Sequence, residues 1–91
     1  MNTENAEPLY YAIIRLFTDG RERSTGDVLA ELEQTYGAQK LFTQKDIDEA
    51  LMTAKENGLL SEVSYKIDES GNLVIYYSIS GFGKTAVSKY L

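Results

Sequence analysis

Neither histidine nor cysteine occurs in this chain of 91 residues, so any chemistry rests on carboxylates, lysines, arginines, tyrosines and hydroxyls. The default general base near neutral pH and the commonest metal ligand are both missing. Disulfides, thiol catalysis and thiolate-bound zinc are excluded. Gly81-Phe82-Gly83-Lys84-Thr85 has the glycines, lysine and hydroxyl of a phosphate-binding loop. Such a loop also needs a glycine five positions before its Gly-Lys pair, where Ser78 stands, so the stretch reads as a glycine hinge. Asp68-Glu69-Ser70-Gly71-Asn72 has the composition of a calcium loop, but Ile79 occupies the place of its bidentate glutamate. That stretch reads as a hairpin turn. No catalytic residue, metal or cofactor is expected, and the chain is not expected to be an enzyme.

The remaining chemistry is recognition by charge. Arg21 and Arg23, with Arg15 upstream, form the one arginine cluster. It reads either as an exposed loop partly neutralised by Glu22 or as a phosphate clamp at a helix start, where backbone amides point outward.

Helices and a hairpin must position these groups. Residues 1–7 form a polar, acidic tail without the features of a secretory signal, and residues 8–91 form a single domain. Pro8 suits a first helical position, and Leu9, Ile13, Leu16 and Phe17 follow helical spacing, widened by Tyr10 and Ile14, until Asp19-Gly20. Ser24 with Asp27 three residues on marks a second helix start. Val28, Leu29, Leu32 and Tyr36 line its inner face, and Gly37 ends it. Leu41 and Phe42 staple the entry to a third helix capped by Thr43. Its inner face is Ile47, Ala50, Leu51 and Ala54, and Gly58 closes it.

From Glu62 the period changes from 3.6 to 2, with Val63, Tyr65 and Ile67 on one face. After a turn at residues 69–72, Leu73, Ile75, Tyr77 and Ile79 share one face of a second strand, with Val74 and Tyr76 on the other. A Gly81–Gly83 turn leads to a last helix with Ala86, Val87 and Tyr90 on its apolar side. The seven tyrosines divide into Tyr10, Tyr36, Tyr65 and Tyr77 at core positions and Tyr11, Tyr76 and Tyr90 nearer the surface. Val74 and Tyr76 beside the last helix, with Val87 and Tyr90, form a candidate self-association surface. Apolar residues are 43% and charged residues 25%, a globular composition with no run long enough to span a bilayer. A cytoplasmic location fits the absence of cysteine.

The segments Thr43–Leu51, Asn57-Gly58-Leu59-Leu60 and Tyr76–Lys84 together resemble the winged helix-turn-helix superfamily, in particular small PadR- and MarR-like regulators. Tyr77-Ser78-Ile79-Ser80-Gly81-Phe82-Gly83 is similar to that family's Tyr-x-Leu-Thr-x-x-Gly strand ending. The resemblance implies an α+β fold: a three-helix core, a β-hairpin wing and a short C-terminal helix. It also implies a homodimer reading half-sites about 34 Å apart on duplex DNA. Thr43 and Lys45 would then meet phosphate, Gln44 would read a base edge, and Lys66 on the wing would meet the backbone.

The charge works against this. The segment Thr43–Asn57 carries four acids against two lysines, and the whole chain carries −5. Acids on a groove-facing surface repel phosphate. The alternative is a winged-helix module whose acidic helix face binds a protein partner, with no DNA involved.

Overall fold

The computed structural model describes residues 7–40 and 42–90, so residues 1–6 of the expected tail and Leu41 of the expected staple lie outside the described residues. Pro8 precedes α1 (Leu9–Leu16), which runs into a 3₁₀ turn at Phe17–Asp19. Gly20 ends that turn with φ +83°, a left-handed conformation that glycine alone adopts freely. Glu7, the last residue assigned to the tail, is anchored: its carboxylate pairs with Arg15 at 3.0 Å and its carbonyl accepts from the Tyr36 hydroxyl.

Ser24 caps α2 (Thr25–Tyr36) through a reciprocal capping box with Asp27. Thr43 caps α3 (Gln44–Glu56), its hydroxyl accepting from the Asp46 amide at 3.1 Å. Gly58, at φ +79°, turns the chain out of α3 into β1 (Leu60–Ile67), which pairs antiparallel with β2 (Leu73–Ile79). The last helix, α4 (Gly81–Tyr90), begins at Gly81, so the expected glycine turn is the helix's own first turn.

The three-helix core forms as the apolar spacing requires. Ile13, Phe17, Val28, Ile47, Leu51 and Ala54 are fully buried, and Leu60, Tyr77 and Ile79 close the core from the hairpin. Each fully buried Ile, Leu, Val or Phe side chain contributes about 1.5–3 kcal/mol of transfer free energy. Arg23 adds a one-residue bridge to Tyr77 through backbone bonds of 2.9 Å in both directions, so β2 is held on both edges at that point.

The hairpin departs from simple alternation. Glu62 pairs with Tyr77 and Ser64 with Tyr76, which leaves Val63 as a bulge. The extra residue shifts the side-chain phase, so Leu60 and Glu62 before it share a face with Tyr65 and Ile67 after it. Opposite them stand Leu73, Ile75, Tyr77 and Ile79. The base of this face is buried against the helices; the tip projects past them. Tyr65, expected in the core, is therefore 73% exposed, with Val63, Ile67 and Leu73 also in solvent, because no helix reaches them. Val74 and Tyr76, on the opposite face, are half-buried.

Candidate nucleic-acid interface

In this arrangement α2 and α3 open side by side against the edge of β2. Ser24, Thr25 and Gly26 from the start of α2, and Gln44, Lys45 and Asp48 from the start of α3, line one hollow with Leu73, Val74 and Ile75. The Thr25 hydroxyl donates to the Asp48 carboxylate at 2.8 Å and ties the two helix starts together. The Ser24 and Thr43 caps take the Asp27 and Asp46 amides, and the dipoles of both helices favour an anion at this end.

Thr43, Gln44 and Lys45 are all exposed at this end of α3. The Thr43 hydroxyl is engaged in capping and in a 2.6 Å hydrogen bond to the Asp46 carboxylate, so Gln44 and Lys45 are the more available pair. Lys66 is exposed on the wing with its ammonium 5.7 Å from the Tyr76 ring centre. The Tyr76 side chain beside it holds the Lys66 pKa above the ordinary lysine value. Arg21 is exposed in the connection before α2, its backbone amide donating to the Asp19 carboxylate at 2.9 Å.

Arg23 corrects the expectation of an exposed clamp. It is 3% exposed, and all five of its guanidinium N–H groups are used. Nε and Nη2 donate to Glu31 at 2.7 and 3.0 Å, and Nη1 and Nη2 donate to Asp19 at 2.9 and 2.7 Å. The fifth bond runs from Nη1 to the Leu16 carbonyl at 2.9 Å, and the guanidinium carbon lies 5.5 Å from the centre of the Phe17 ring. A residue so committed has no donor left for phosphate. Arg15, paired with Glu7, stands on another surface, with Leu16, Leu32 and Tyr36.

The same cluster fixes a pH dependence. The Arg23 hydrogen bonds, and then the Arg21 amide, hold the Asp19 carboxyl well below the usual carboxylate range. A depressed carboxylate stabilises the fold fully above its unfolded pKa of about 3.9 and loses that contribution as pH falls through the folded value. The stability gap between the wild type and Asp19→Asn should thus be complete above about pH 5 and narrow below about pH 4. Urea midpoints measured from pH 2 to 7 test this; a gap that widens on acidification would contradict it.

The expected association residues divide between two places. Val74 belongs to the hollow at the helix starts. Val87 and Tyr90 line a separate hollow with Tyr10, Tyr11 and Leu59, where α4 meets α1. Tyr90, expected on the apolar side of α4, is 78% exposed. Tyr76 lies beside Lys66 on the wing. The four residues are therefore spread over two hollows and the wing.

The phosphate-loop likeness has a structural explanation. Ser80 caps α4: its hydroxyl accepts from the Gly83 amide at 2.8 Å and donates to the Gly58 carbonyl. Gly83 is buried against the Leu59 carbonyl. Serine and glycine at these positions fasten the wing and α4 to the end of α3, which is why the Tyr77–Gly83 pattern occurs.

Comparison with protein families and with curated proteins finds no match. Among solved structures, the chain is similar to a protein assigned as a transcriptional regulator in Thermoplasma acidophilum, with TM-score 0.71 and 20% identity over 90% of this chain and 75% of that one. It is similar to a PadR-like transcriptional regulator of Bacillus cereus, with TM-score 0.66 and 16% identity over 89% of this chain and 75% of that one. RosR of H. salinarum matches with TM-score 0.68 and 17% identity over 96% and 72% of the two chains. With three helices, a hairpin held at its base by a one-residue bridge, and a terminal helix locked beneath the wing, this chain has the winged helix-turn-helix fold.

Proposed function

We propose that the chain is a winged-helix transcription regulator that engages duplex DNA end-on, through the first turns of α2 and α3. The observation carrying this reading is the shared hollow at the two helix starts, where Gln44 and Lys45 stand at the end whose dipoles favour an anion. Recognition helices in this class of motif contact bases through their N-terminal residues. Of the acids near this end of α3, Asp46 is engaged by the Thr43 hydroxyl and Asp48, inside the hollow, by the Thr25 hydroxyl. Glu56 is roughly 18 Å beyond Gln44 at about 1.5 Å per residue. End-on docking places Gln44 on a base edge, Lys45 on phosphate, and Lys66 and Arg21 on the flanking backbone. Thr43 holds the helix start in place. Arg23 takes no part. The α1–α4 groove with Tyr11, Val87 and Tyr90 is the surface for pairing two copies, since it leaves both helix starts free.

Three cations per protomer imply a slope of log affinity against log salt of about −2.7, since each phosphate contact contributes about −0.9. Fluorescence anisotropy with a random duplex at about 50 mM salt should show binding with that slope. Lys45→Glu should lower affinity at least tenfold while leaving the melting temperature unchanged, because Lys45 is exposed. Failure to bind any duplex at low salt would overturn the reading.

A further inference from the structure

A different surface is built from the outer side of α3 and the projecting face of the wing. Met52 on α3 faces Ile75 and Tyr77 on β2 across a hollow that also contains Asp48, Glu56 and Glu62. It continues through Ile75 into a larger hollow of about 620 Å³ along the wing, lined by Tyr65 and Leu73. The trough is apolar along its floor and acidic along its rim. Met52, Tyr65 and Leu73 are all exposed, although a soluble domain ordinarily keeps such side chains scattered. The lysine in this trough, Lys55, is committed to Glu62 at 3.0 Å.

We infer that this trough docks a basic amphipathic helix of a protein partner, its apolar face on Met52, Tyr65 and Ile75 and its cations against Asp48 and Glu56. The charge selects this occupant. Two copies meeting face to face would place each acidic rim against its own image. Duplex DNA would bring phosphates against the same acids. A helix carrying lysines or arginines along both edges of an apolar stripe meets each requirement of the surface. Helix-in-groove recognition reads anchors one turn apart, and α3, at about 20 Å, matches roughly 13 residues of partner. The docked helix borders the Gln44–Lys45 hollow along Asp48, Leu73 and Ile75, so it brings positive charge to a regulator whose own recognition helix is acidic.

The test uses the intact chain, labelled with nitrogen-15, and two synthetic 18-residue amphipathic helices, one built from lysine and leucine and one from glutamate and leucine. The basic peptide should bind at least tenfold more tightly than the acidic one and shift the amides of Met52 and Glu62. The double variant Met52→Ala with Tyr65→Ala leaves every charge in place and should weaken the basic peptide tenfold or more. Glu56→Lys should weaken it as well. Both changes fall on exposed positions, and an unchanged melting temperature confirms that each variant folds. Equal affinity for the two peptides would overturn the inference, as would shifts confined to the α1–α4 groove. So would duplex DNA moving the Met52 and Glu62 amides, which lie in the trough and outside the hollow at the helix starts. Dimerisation lost on the double variant, read by sedimentation velocity, would assign the trough to a second copy instead. Loss of duplex binding in the anisotropy experiment leaves these peptide results standing, so the two readings fail separately.

Discussion

Arg23→Ala should cost the protein about 3 kcal/mol and lower its melting temperature by roughly 12–24 °C. The figure comes from the behaviour of buried ion pairs, where removing one partner costs about 3–5 kcal/mol. Here the two carboxylates keep part of their solvation, with side chains 43% and 36% exposed, which places the cost at the lower end. In a domain of this size each kcal/mol moves the midpoint by about 4–8 °C. Arg23→Lys should also destabilise, since an ammonium has three donors and no planar fork with which to hold Asp19, Glu31 and the Leu16 carbonyl together. The loss is architectural. Arg23 lies between the 3₁₀ turn and α2, and its backbone closes the bridge to Tyr77 at the base of the wing. Adding Asp19→Asn and Glu31→Gln to Arg23→Ala should cost far less than the separate effects combined, because the three groups form one network. Differential scanning calorimetry decides the matter: a midpoint lowered by less than about 5 °C would mean that the network contributes no more than about 1 kcal/mol and would overturn this expectation.

Arg23 also shows where the sequence is silent. Arg21-Glu22-Arg23 reads as a short charged connection, and nothing in its spacing separates the outer arginine from the inner one. The separation arises from tertiary structure: the chain must pair with β2 at residue 23, and that pairing turns one side chain inward toward Phe17. The carboxylates at positions 19 and 31 were visible, four residues before and eight after, but only the folded turn brings them to one point. By contrast, local signals sufficed for the helices. The Ser24–Asp27 box, the Thr43 cap and the glycine at 58 each act within a few residues of chain, so spacing alone locates them.

The wing divides in the same way. Alternation identified two strands and the face shared by Leu73, Ile75, Tyr77 and Ile79. It could not reveal the bulge at Val63, nor that the core ends near Tyr77 while the apolar pattern runs on to Leu73. An apolar strand pattern records which face is oily, and burial depends on whether another element reaches it. The difference between the two is the surface to which the partner helix is assigned. The acidity of α3, a contradiction when read as one face, becomes coherent once its start and its flank belong to different tasks. Gln44 and Lys45 stand at one end, Met52 and Glu56 line the trough, and Asp48 borders both.

Gly83→Ala should uncouple α4 from the rest of the domain and cost about 3 kcal/mol, at the upper end of what overpacking does. A β-carbon at position 83 would stand 2.1 Å from the Leu59 carbonyl oxygen and 2.9 Å from Ile79 Cγ1. The nearer atom is backbone and is already occupied, since the Leu59 carbonyl accepts the Ser80 amide at 3.0 Å. The helix must therefore lift, and the Ser80 cap with its bond to Gly58 is lost as it does. Gly81→Ala supplies the control. Nothing lies within 4 Å of a β-carbon there, and the residue does not need a left-handed conformation, so alanine should be neutral or stabilise by about 0.4–1 kcal/mol. Native-state hydrogen exchange locates the effect. In Gly83→Ala the amides of α4 should lose protection first, with those of α2 and the first half of α3 following only the global loss of stability. Equal stability of the two alanine variants would show that α4 tolerates displacement and that the close approach to Leu59 is dispensable. If the groove between α1 and α4 pairs two copies, Gly83→Ala should also dissociate them, whereas Gly81→Ala should not, because only the first change moves Val87 and Tyr90 away from Tyr10 and Tyr11.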